Sequence, residues 1–236
     1  MRIFKILFVV AIFITNINSQ TIINRYSEKL MLENDGNLKL DITFNLKSDS
    51  MHTLSLPLNF NNKDVKILNY DSTIQDIKLE KNDGVKFIVI YFKGFSDSLI
   101  DYNLKLEVKN YFDFEKNKTD FGNYILSYKF VNFSSLKIRK IESYIFLPEK
   151  YVFTSVLETL PKQKSNNPED IYVFSRENSR NYIKLKNTDL GIGDGIFIKF
   201  KFKMEEKSKI FLVILVFIAV GYMIFFRDLV KQKKVK

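Results

Sequence analysis

The chain has 236 residues, 37 basic and 27 acidic, for a net charge of +10, and it contains no cysteine and no tryptophan. That length can bury a sufficient core without disulfides, which the composition rules out. One histidine and no cysteine leave no basis for a zinc or copper centre.

The N-terminus predicts an export signal. Arg2 and Lys5 form a positive start, Ile6 to Ile14 an apolar stretch too short to span comfortably, and Thr15 to Ser19 a polar end. Residues 1–19 read as a signal peptide cleaved after Ser19, with an uncleaved anchor as the alternative. Without cysteine, lipidation at the cleavage site is excluded.

Period-two alternation then predicts strands. Leu38, Leu40, Ile42, Phe44 and Leu46 alternate with polar residues, and Leu54, Leu56, Leu58 and Phe60 repeat the pattern. Pro57 places that second strand at an edge or a bulge. Val85 to Phe92 is apolar on both sides and reads as a central strand. Further stripes are Leu104, Leu106 and Val108, then Tyr124, Leu126, Tyr128 and Phe130, and last Ile196, Ile198, Phe200 and Phe202. Asp35-Gly36, Asp83-Gly84 and Asp194-Gly195 supply the positive φ of hairpin turns. Closely spaced strands with turn signals predict an all-β domain, an antiparallel β-sandwich, over residues 20–209. A polar loop with two prolines, 161–170, interrupts it, and a subdivision near Pro148 is the alternative to one continuous domain.

Ile210 to Phe226 carries no charge and is closed by Lys209 and Arg227. Seventeen residues at ~1.5 Å each give roughly 25 Å, and the flanking cations can reach the headgroups. This predicts a transmembrane helix through a lipid bilayer. The tail 227–236 is basic, +4, which places it in the cytoplasm and the N-terminal domain outside: a single-pass protein, N-out and C-in. With signal and tail removed, residues 20–209 hold thirty basic and twenty-six acidic side chains. The high pI therefore belongs mainly to the ends and implies no nucleic acid.

Candidate chemistry is sparse. His52 opens a predicted strand with no nucleophile turn near it. Asp113, Glu115, Asn117, Thr119 and Asp120 alternate oxygen ligands as calcium loops do, but lack the glycine and closing glutamate, so a solvated loop fits better. Gly191, Gly193 and Gly195 precede a strand and not a helix, so they read as a hairpin turn and not as a phosphate loop. Asn117-Lys-Thr and Asn132-Phe-Ser match the glycosylation sequon, a pattern common by chance. Tyr144 to Val156 is the densest apolar stretch; it is expected in the core, and exposed it would mark an interface. No catalytic, cofactor or metal residue is assigned.

Asp35-Gly36 with its alternating strand, LSLPLN at 54–59, YNLKLEVKNYFD at 102–113 and IESYIFLPE at 141–149 give a resemblance. The order resembles uncharacterised exported bacterial membrane proteins with an N-terminal β-sandwich ectodomain. That family usually has a glutamate where Asp41 stands, and a longer C-terminal region. The resemblance implies fold and topology and no activity. The expected function is protein–protein interaction, as a membrane-anchored accessory subunit with a membrane or envelope protein partner. A surface receptor or adhesin for a glycan or extracellular protein is the alternative.

Overall fold

The computed structural model describes residues 22–46, 52–58, 60, 63–82, 84–94, 99–119, 122–160, 171–205 and 207–233. The signal peptide and the 161–170 loop expected from the sequence lie outside them. Strands are numbered in chain order. The largest sheet runs β11 (Tyr172–Glu177), β12 (Arg180–Leu190), β9 (Lys137–Phe146), β1 (Ile22–Leu32), β2 (Leu38–Leu46), β7 (Ile100–Lys109) and β4 (Asp64–Tyr70). A three-stranded sheet runs β10 (Tyr151–Leu160), β13 (Gly195–Met204) and β8 (Asn123–Val131). Another runs β3 (Thr53–Leu58), β6 (Val85–Phe92) and β5 (Ile74–Asn82). Helix α1 (Lys207–Lys233) follows.

The all-β expectation holds, and the alternation of β2 shows why. Leu38, Leu40, Ile42, Phe44 and Leu46 are each at most 1% exposed, while Lys39, Asp41, Thr43 and Asn45 face out. Burying each such side chain contributes ~1.5–3 kcal/mol. One apolar cluster contains side chains from all three sheets, including Ile42, Ile90 and Phe200; none of the described side chains of α1, 213–226, belongs to it. The edge position expected from Pro57 and the central position of Val85–Phe92 are both present.

Two expectations about strands are corrected. Among the described residues the pairings are antiparallel except one: β1 runs parallel to β9, with Ser27 beside Glu142 and Lys29 beside Tyr144. Two parallel strands need a long crossover, and here residues 33–136 lie between them. Asp194-Gly195 does not close a hairpin. β12 pairs with β9 and β11, while β13 pairs with β10 and β8, so the 191–194 turn joins two sheets.

The expected single-pass membrane localisation, N-out and C-in through Ile210 to Phe226, is also corrected. No helix among the described residues is long and apolar enough to cross a membrane.

Candidate functional site

The outward face of the seven-stranded sheet is polar along β2 and β7 because their inward apolar residues alternate with outward polar ones. Register sets Ser27 opposite Thr43 and Thr43 opposite Asn103; Asn45 stands opposite Asp101. These side chains, with Arg25, Lys29, Tyr144 and Glu177, line a hollow of about 450 Å³.

Hydrogen bonds hold its floor. Thr43 Oγ1 donates to Asn103 Oδ1 (2.7 Å), and Asn45 Nδ2 donates to Asp101 Oδ1 (2.9 Å). The Asn103 backbone N–H and Nδ2 both donate to Asp71 Oδ2, at 2.7 and 3.0 Å. The other oxygen of the pair, Asn45 Oδ1, is shielded from solvent and has no partner among the described residues.

Beside the hollow, Glu142 gathers Lys184 (2.8 Å), Arg25 (2.9 Å) and Lys140 (3.5 Å). Burial pushes the Glu142 carboxyl up, but hydrogen bonds from Lys184 and Arg25 and the charges of Lys184 and Lys140 outweigh it and hold it at about 2. The Lys184 ammonium stands 5.0 Å over the Tyr144 ring, and Tyr144 lies 5.9 Å from Tyr182. The face thus offers donors, acceptors, fixed charge and a short aromatic strip.

On the inward side of the same strands lies a buried carboxyl that alternation did not reveal. Glu28, 4% exposed, accepts hydrogen bonds from Ser143 Oγ (2.8 Å) and from the Tyr128 hydroxyl, which ties β1 and β9 to β8 across the core. Burial pushes its carboxyl up to about 7, against the opposing hydrogen bonds of Ser143 and Tyr26. An acidic residue at an inward position was legible only once the register of β1 was known, and a shift between Ile23 and Arg25 hides that register.

The residues weighed from sequence are dispersed. His52 is exposed just before β3, in a different sheet from the hollow. Asp113 Oδ1 accepts from the backbone N–H groups of Glu115 and Lys116 (3.1 Å each), so its carboxylate caps a turn. No cluster of three acidic or histidine side chains suited to a metal occurs among the described residues. Gly193 N–H donates to the Asn132 carbonyl (2.8 Å), as an element of the inter-sheet turn. Within Tyr144 to Val156, Ile145, Phe146, Leu147 and Tyr151 are buried, and the exposed residues are Glu149, Lys150, Thr154 and Ser155, none of them apolar.

No family model matches the chain, and no curated protein matches it in sequence. In structure it is similar to an M1 zinc metallopeptidase from Deinococcus radiodurans at 8% identity and a TM-score of 0.44, covering 77% of this chain and 42% of that one. It is also similar to yeast LTA4 hydrolase, at 13% identity and TM-score 0.40, covering 76% of this chain and 29% of that one. A third is acetylcholine-binding protein type 1 of Biomphalaria glabrata, at 11% identity and TM-score 0.28, covering 80% and 89%. The chain spans less than half the length of the two hydrolases, and likeness at these scores carries no argument about activity.

Proposed function

We propose that this protein is a non-catalytic accessory subunit that recognises a protein partner through the outer face of its seven-stranded sheet. The supporting observation is the hollow itself: the polar side chains of its floor are held in place by hydrogen bonds. Side chains already fixed lose little entropy on binding, which favours recognition. Lys29 and Ser27 border the hollow without taking part in that network. The test is affinity purification of the tagged full chain beside a Ser27→Arg, Lys29→Glu variant. A stoichiometric partner is expected with the parent and lost with the variant at unchanged Tm. A partner retained in full would refute this face.

The Tyr144–Tyr182 strip favours a second reading, glycan recognition, since sugars stack on aromatic faces. A glycan array would decide for it if a bound glycan is lost in Tyr144→Ala.

A further inference from the structure

The opposite side of the molecule carries a basic cleft. On β13, Lys199, Lys201 and Lys203 alternate with the buried Ile198, Phe200 and Phe202, so all three lysines face out; Lys129 does the same on β8. The segment 113–119 docks along the start of β8. Thr119 N–H donates to the Asn123 carbonyl (2.7 Å) and Ile125 N–H to the Asn117 carbonyl (3.2 Å), and Lys118 bridges to Tyr124. That docking sets Lys116 and Lys118 facing Lys199 around a cleft of about 550 Å³, with Phe112 and Leu126 in its wall. The wall is rigid: Phe112 packs on Phe114 (4.9 Å) and Phe202 (5.6 Å).

Charge in this cleft is poorly compensated. Lys116 meets Asp113 Oδ2 at 3.5 Å, while backbone N–H groups hold Oδ1, so one carboxylate answers Lys116 alone. Lys118 and Lys199 make no ion pair among the described residues, although Glu158 stands in register with Lys199. Three ammonium groups around one concave space repel each other, and a bound anion relieves them. The volume lies within the range of small-molecule sites. Ser127, exposed on the lip, adds a hydroxyl donor.

We propose that this cleft binds a small multivalent oxyanion, a ligand bearing two or more phosphate or sulfate groups. The test is calorimetry on the purified full chain with two probes, pyrophosphate and a trisulfated heparin disaccharide, at low and high salt. Binding of either is expected, weakening with salt, with affinity about tenfold lower in Lys118→Gln, Lys199→Gln. Lys199→Arg should retain it, and Lys66→Gln on β4 should leave it unchanged. Pyrophosphate alone would identify a phosphate ligand, and the disaccharide alone a sulfated sugar. No heat with either probe would overturn the proposal, as would equal affinity in the double variant or an equal loss in Lys66→Gln.

Discussion

Glu28 and Glu142 lie on neighbouring strands but on opposite faces, and their environments drive them in opposite directions. Glu28 is raised from 4.5 to about 7, so the folded state holds a proton that the unfolded chain releases. Its contribution is fully present below pH 4.5 and lost as pH rises to about 7, a loss of about 3 kcal/mol. Glu142 is lowered from 4.5 to about 2, so its contribution is present above pH 4.5 and lost as pH falls through 2. Stability should therefore peak near pH 4.5 to 5. Thermal melts across pH 2 to 8 check this, and Glu28→Gln should remove the decline on the neutral side while leaving the acid limb.

Asn132 tests another residue-scale claim. It is 0% exposed, and its Nδ2 donates to the carbonyls of Leu136 (2.9 Å), Leu190 (3.2 Å) and Gly191 (3.2 Å). A side chain so engaged cannot carry a glycan in the folded protein, although its sequon is intact. Asn132→Ala should cost about 2–4 kcal/mol in a denaturant titration, because it removes the Nδ2 donor of the Leu190 carbonyl and the Oδ1 acceptor of the buried Ser134 N–H and hydroxyl.

At the scale of elements, what was legible followed the two-residue period. β2, β3, β6, β7, β8 and β13 were visible because their inward sets are apolar without interruption. β1 was not, because Glu28 sits among its inward residues and a register shift breaks its alternation. The parallel β1–β9 pair was not legible either, since alternation does not tell which distant strand is the neighbour. Turn residues were read correctly where the flanking strands belong to one sheet. Gly36, at φ +82°, closes the β1–β2 hairpin, and a Cβ there would meet the Phe112 carbonyl oxygen at 2.1 Å. Gly36→Ala should therefore destabilise the fold by more than ~1 kcal/mol, read by the same titration. Asp194-Gly195 carried the same signal but joins two sheets, because β13 starts against Val131 of β8; a Cβ at Gly195 would lie 2.4 Å from the Phe130 carbonyl oxygen. The candidate hollow was not legible at all: its residues come from β1, β2, β7, β9 and β11, and only the sheet order brings them together.

At the scale of the whole molecule, strands from before and after Pro148 are interleaved: β12 borders β9 in the large sheet, and β13 separates β10 from β8. A chain ending at Leu160 would lose β11, β12 and β13 together, and with them buried Ile183, Leu185, Phe200 and Phe202. It should show no cooperative melting transition, checked by calorimetry. The same interleaving makes the outer face of the large sheet one continuous surface from β7 to β11, which is what the proposed recognition role requires. The most direct test is site-specific photo-crosslinking in the native cells, with the reactive group at position 29 beside the hollow and, as a control, at position 81 on β5. A single partner protein captured from position 29 and not from position 81 is the expected result. No adduct at 29, or the same adducts from both positions, would contradict recognition through this face.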